Sequence, residues 1–225
     1  ASQEMVQAKP SARGKVELGL GAESTAVQLA GCDAQWMAEA ARVVADHGAR
    51  IIDINMGCPA KKVVSGSGSG ASGSALMRDP DHALRLIEAV VGAVDVPVTL
   101  KMRLGWDHDC LNAPELARRA EAAGVAMVTV HGRTRCQFYT GAADWAAISD
   151  IVAAVNIPVI ANGDIVDSAT ARKAVAQSGS AGVMIGRGAR GRPWVLAEVA
   201  AAMGQGTAPL VPQGAALADL VAGHY

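Results

Sequence analysis

Aromatic residues make up only 3% of this 225-residue chain, so its core must be built mainly from small aliphatic side chains. Cysteine is also sparse. The four present, Cys32, Cys58, Cys110 and Cys136, have no regular spacing and form no CxxC pair. That argues against a disulfide framework and for a reducing, cytoplasmic setting. His108, Cys110, His131 and Cys136 do not form a zinc-ligand pattern, so no metal is expected. Neither sign of charge dominates: the formal net charge is −1. A global pull toward nucleic acid is therefore excluded, and any such contact must come from local basic patches. No run of 18 apolar residues occurs, and the first residues lack the charged-then-apolar pattern of a secretory signal. The expectation is a soluble protein without membrane contact. With 51% hydrophobic and 18% charged residues, the chain can bury a sizeable core.

Apolar runs of strand length recur at 25–31, 50–57, 96–105, 125–133, 157–165 and 181–189. They are rich in Val and Ile and nearly continuous, as parallel strands covered on both faces are. Helix-like segments with start signals lie between them. Asp79 precedes a proline suited to the first helical position, "NAPE" at 112–115 reads as a capping box, and Asp33 and Asp167 are further candidate caps. Six strand–helix alternations predict an α/β fold, a TIM-type (β/α)8 barrel of which about six units are present. An open doubly wound sheet is the alternative. The strand ends favour the barrel. Each run finishes in polar or glycine residues: Gln28, Asn55 and Cys58, Lys101 and Arg103, His131 and Arg133, Asn162 to Asp164, Gly186 and Arg187. In a parallel barrel these ends open on one face, whereas a doubly wound sheet gathers them at one switch point.

The last two units, "ANGDI" and "IGRGA", place glycines just after strands. Backbone N–H groups exposed there, ahead of a helix N-terminus, suit an anion, and two such turns in succession point to a phosphate-bearing cofactor. Each alone could equally be a tight turn.

The stretches "INMGCPAKKV", "GSALMRDP", "VPVTLKMRLGW", "VHGRTR", "PVIANGDI" and "MIGRGARGRPW" resemble, in order, the bacterial tRNA-dihydrouridine synthases, close to their B-type, nitrogen-regulation-like branch. The resemblance implies an FMN-dependent barrel that uses NADPH to reduce the C5–C6 double bond of particular uridines in tRNA. It also implies residue roles. Cys58 matches the family's proton donor, and Gln28 and Lys101 match residues that hold the flavin. Asn162, Gly163 and Asp164, then Gly186 and Arg187, match the segments that bind the FMN phosphate. His131 matches a histidine near flavin and substrate, and Asn55 an active-site asparagine. The chemistry suits these types: a lysine can stabilise negative charge on a reduced flavin, and a thiol is a competent acid near neutral pH. Lys61 and Lys62 follow Cys58 and are available to RNA phosphates, and Arg103 and Arg133 are counted with them as substrate-facing.

Set against the family pattern, the chain opens at "SQEMVQAKP", after the family's second strand, and stops at "ADLVAGHY", where a helical RNA-binding region begins. The expected domains are an FMN-binding barrel over 1–205, lacking the first two strands, and the start of that helical region over 206–225. The Gly/Ser-rich run at 63–76 is longer than the family's loop and is expected to be flexible coil. Two other readings stay open: a flavin barrel reducing a free pyrimidine, as dihydroorotate dehydrogenases do, and an inactive barrel fragment. A cysteine after a strand can also be a small packing residue.

Overall fold

The computed structural model describes Val6 and residues 25–65 and 70–223. Among these residues six strands form one sheet: β1 Ala26–Leu29, β2 Ile51–Met56, β3 Val98–Arg103, β4 Met127–His131, β5 Val159–Asn162 and β6 Gly182–Met184. Each pairs in parallel with the next in the chain, giving the spatial order β1 to β6 without a reversal. A doubly wound sheet would reverse direction at a switch point. The sequential order is that of a barrel wall, and the chain folds as a partial TIM barrel.

Helices return the chain between strands: α1 Ala34–Asp46, the single turn α2 Lys61–Val64, α3 Pro80–Val91, α4 Ala113–Ala122, α5 Ser149–Ala154 and α6 Ser168–Ser178. After β6 come α7 Val195–Ala202 and α8 Gly214–Ala222. Three of the expected caps form, because each carboxylate accepts from a backbone N–H of the first turn: Asp33 from Trp36, Asp79 from His82 and Asp167 from Thr170. The "NAPE" box does not form. Asn112 instead donates its Nδ2 to the Met77 carbonyl at 2.7 Å, and Glu115 pairs with Arg119 at 3.6 Å. A tertiary contact takes the side chain that local sequence would have used as a cap.

The strands are not uniformly apolar. Ile52, Ile54, Leu100, Met102, Val128, Val130 and Ala161 are fully buried in the core cluster, which extends to Leu86, Ile87, Leu116 and Ala174 of the surrounding helices. The alternate residues, including Asp53, Asn55, Thr99, Lys101, His131 and Asn162, meet one another through polar contacts on the opposite face, the barrel lumen. The Gly/Ser run differs from expectation beyond residues 66–69, which lie outside the described residues. Ser72 N–H donates to the Val63 carbonyl at 3.0 Å, and Gly73–Arg78 forms a 3₁₀ helix packed on the Cys58 turn.

Candidate active site

Two polar groupings occupy the lumen and its mouth. The first is built on β1, β2 and β3. Thr99 Oγ1 donates to Asp53 at 2.7 Å, and Gln28 Nε2 donates to the same carboxylate at 2.6 Å. Asn55 Nδ2 donates to Gln28 Oε1 at 2.7 Å, and Asn55 Oδ1 accepts from the N–H groups of Gly57 and Cys58 at 3.1 and 3.0 Å. Beyond the turn, Ser74 donates to the Cys58 carbonyl through both N–H and Oγ, at 3.0 and 2.9 Å. Gly73 has φ +60, and a Cβ there would lie 2.8 Å from that carbonyl oxygen. A glycine is therefore required where the 3₁₀ helix closes over Cys58.

The second grouping, at the ends of β3 to β6, surrounds a cavity of about 400 Å³ lined by Lys101, His131, Tyr139, residues 162–166, Met184 and residues 186–188. Lys101 Nζ donates to Asn162 Oδ1 at 3.2 Å, and Asn162 Nδ2 is anchored on the Met184 carbonyl at 2.8 Å. Burial lowers the Lys101 pKa below the ordinary lysine value, with Asp53 opposing the shift. His131 is pushed down to about 3 by burial and by the positive charges of Arg103, Lys101 and Arg133. Its Nε2 faces Arg133 Nη1 at 3.2 Å. A guanidinium can only donate, so Nε2 carries the lone pair and the ring is neutral with its proton on Nδ1.

Arg133 is 2% exposed, grips Asp164 through both terminal nitrogens at 2.9 and 2.5 Å, and donates to the Thr140 and Gly141 carbonyls. Asp164 also accepts from Ala143 N–H at 2.8 Å and adopts φ +54, a conformation that Asp tolerates better than most residues. Burial works against its charge, but the bonds from Arg133 and Ala143 hold its pKa below the usual carboxylate range. Gly163, at φ +112, brings the β5 end so close to β4 that a Cβ would lie 2.8 Å from the His131 ring. At Gly186 a Cβ would meet nothing within 4 Å, so the backbone there borders open space.

The structure thus gathers Lys101, His131, Asn162, Gly163, Asp164, Gly186 and Arg187 around one cavity. Gln28, Asn55 and Cys58 lie outside its lining, in the neighbouring grouping; Lys101 and Arg103 are both within electrostatic range of the Cys58 thiol. Arg103 is 1% exposed, and its donors go to the carbonyls of Gly57, Thr134 and Phe138 at 2.8–2.9 Å. Burial lowers its pKa to about 10, so it stays charged at neutral pH. As placed, the Arg103 and Arg133 guanidinia brace loops and do not face solvent. Lys61 is exposed on α2, and the side chain of Lys62 lies outside the described residues.

Tyr139 escaped the sequence reading, since it sits in a loop and not at a strand end. It is 51% exposed, lines the cavity, and has the Arg187 guanidinium 4.3 Å and that of Arg103 5.6 Å from its ring centre. Asp53 and Thr99 were also missed; their period-two spacing from Asn55 and Lys101 was the available signal. The cavity wall carries the cations of Lys101 and Arg187 against the one carboxylate of Asp164, contains a neutral imidazole and opens at a glycine turn. Such a lining suits an elongated ligand with a polar ring and an anionic end.

Residues 1–225 match the family model described as dihydrouridine synthase. Across its full length the chain is 65% identical to a protein of Rhodobacter capsulatus named "Probable tRNA-dihydrouridine synthase", covering 68% of that protein. It is 53% identical to "tRNA-dihydrouridine synthase B" of Xanthomonas campestris pv. campestris, over 88% of this chain and 58% of that one. The chain thus spans between 58% and 68% of the length of these two relatives. Among solved structures, mandelate oxidase with (S)-2-phenylpropionate superposes with a TM-score of 0.53 at 25% identity, over 79% of this chain and 57% of that one, a likeness of fold.

Proposed function

Because the chain belongs to the dihydrouridine synthase family, we propose that it carries the barrel portion of an enzyme that reduces the C5–C6 double bond of a uridine in tRNA, with FMN as bound flavin and NADPH as reductant. The observation that carries this reading is one cavity walled by Lys101, Asn162, Gly163, Gly186 and Arg187, beside the turn that presents Cys58. The donor set fits the flavin. Arg187, 55% exposed and only 3.8 Å from Asp164, is loosely held and can pair bidentately with a phosphate, and the open Gly186 backbone leaves room for it. Lys101 offers a cation fixed by Asn162 to the electron-rich edge of the ring. His131, neutral and held by Arg133, presents an uncharged polar edge to the same space. When bound, FMN would supply two-electron reduction of the pyrimidine.

The chain's own residues then handle position and proton. Asn55 fixes the backbone of Gly57 and Cys58, and the 3₁₀ helix holds the Cys58 carbonyl from behind. On the family resemblance, the thiol held there is the acid that delivers a proton to uracil C5, and Lys61 nearby in sequence is a contact for RNA phosphate.

The test separates two half-reactions in a chain extended to the length of its relatives. In the Cys58→Ala variant, FMN binding and its reduction by NADPH are expected to persist. Formation of dihydrouridine in tRNA should slow by about 10²–10⁴, the usual effect of a lost general acid. Cys58→Ser should recover little, because a hydroxyl is a far weaker acid than a thiol. Uridine reduction at the parent rate in Cys58→Ala would return this cysteine to the packing residues. Free uridine reduced as efficiently as tRNA would favour a free-pyrimidine enzyme.

A further inference from the structure

Asp53 is an ionisable side chain in the lumen to which the proposed reaction gives no part. Its hydrogen bonds all run one way. Thr99 and Gln28 donate to it, Asn55 donates to Gln28, and the amides of Gly57 and Cys58 donate to Asn55, every distance falling between 2.6 and 3.1 Å. Both ends of this chain of bonds force the same orientation. Backbone N–H groups at the Cys58 end can be met only by the Asn55 oxygen, which turns its NH₂ toward Gln28. An ionised carboxylate at the other end accepts only, so Gln28 must offer it NH₂ and keep its oxygen for Asn55.

We propose that Asp53 is a positioning residue, whose acceptor-only carboxylate sets the direction of a hydrogen-bond chain through Gln28 and Asn55 that fixes the backbone presenting Cys58. Asp53 touches neither Cys58 nor the cavity; it acts through two amides. The register supports the path, since Gln28 lies opposite Asp53 and Asn55 opposite Lys101 on adjoining strands. The inference rests on the proposed function only in taking Cys58 as the group to be held.

The experiment reads the Gly57 and Cys58 amides directly, by hydrogen exchange with residue-resolved mass spectrometry on the 225-residue chain. Gln28→Glu keeps the size of the side chain and its acceptor for Asn55, but it sets two carboxylates face to face, so it should break the link to Asp53 and leave residue 28 unanchored beneath Asn55. Exchange at Gly57 and Cys58 is expected to accelerate about tenfold, the effect of losing one ordinary hydrogen bond, while amides of β4 hold their parent rate. Adding Asp53→Asn to Gln28→Glu returns one donor and one acceptor to the junction and should bring both amides back to within about threefold of the parent.

A role in packing alone predicts that the Gly57 and Cys58 amides respond to Gln28→Glu no more than the other amides of β1 and β2. That outcome, or a double variant no better protected than the single, overturns the proposal. Should Gln28→Glu fail to fold, Asp53→Leu, which deletes the acceptor at similar size, decides against the parent: faster exchange at the two amides with β4 unchanged supports the proposal, and parent rates at both overturn it. The readout needs neither flavin nor tRNA, so failure here leaves the proposed activity untouched, and failure of the Cys58→Ala test leaves this inference untouched.

Discussion

The imidazole of His131 lies 3.2 Å from the Arg133 guanidinium and shares the lumen with Lys101 and Arg103, so a proton added to it would be buried beside positive charge. Its folded pKa of about 3 lies below the roughly 6.5 of an unfolded histidine. Between those values the unfolded chain binds the extra proton, so the stabilisation is complete above pH 6.5 and is lost as pH falls toward 3, by at most about tenfold in the folding constant per pH unit. Asp53 acts with the opposite sign, because burial raises its pKa and the folded state takes that proton more readily. Urea unfolding of the parent and of His131→Gln at pH 7, 6 and 5 separates the two: the parent should lose stability faster. Parallel curves would mean that His131 takes up its proton as readily in the fold as in the unfolded chain. A second prediction at this level concerns Arg187. It rests on the Tyr139 ring and is half-exposed, so Arg187→Ala should weaken FMN retention about tenfold or more while the melting temperature of the flavin-free chain stays within about 2 °C. Unchanged flavin affinity removes Arg187 from the site.

α6 begins just past the cavity wall, and its first turn is tied there from both sides. Asp167 accepts from Thr170 N–H at 2.7 Å, while Thr170 Oγ1 accepts from the N–H groups of Val166 and Asp167 at 3.0 Å. Val166 lines the cavity, so this capping box fixes the loop that begins at Gly163. Asp167→Ala should lower the melting temperature by roughly 2–4 °C and loosen flavin retention, whereas Asp167→Asn, still an acceptor, should restore most of both. A variant that loses stability but keeps flavin affinity would uncouple cap from cavity. Asp167 also marks what could be read in advance. Its cap is local, within three residues, and so are those of Asp33 and Asp79; all three were legible. Asn112 had the same local signature but found Met77, 35 residues away, and no local rule reports that. The strand ends were legible because a parallel barrel brings them to one face, which is how seven residues of one cavity could be named from sequence. The polar lumen was obscured because Ile52, Ile54 and Met56 flank Asp53 and Asn55 on alternate positions, so the run looked continuously apolar. Arg103 and Arg133 were assigned to the substrate by their charge, but the carbonyls they bind belong to loops whose path the sequence did not disclose.

A barrel wall gains its last hydrogen bonds by closing, since every strand then has two paired neighbours. Among the described residues β1 and β6 each have one. β1 carries Gln28 into the Asp53 chain of bonds, and β6 supplies the Met184 carbonyl that anchors Asn162, so the two outermost strands hold the two polar groupings of the site. Motion at either strand would be felt at the ligand-bearing groups before it reached the buried β2–β4 centre. Both strands are short, four and three residues, which limits but does not remove their capacity to pair with another chain. The 225-residue chain is therefore expected to self-associate with rising concentration and to melt broadly, the β1 and β6 amides exchanging fastest. A chain extended to the length of the relatives should melt more sharply and remain monomeric over the same range. Sedimentation at several concentrations, with calorimetry on both chains, checks this. A monomeric 225-residue chain with a sharp transition would show that β1 and β6 are adequately covered as they stand, and the two groupings would then be rigid without a closed barrel.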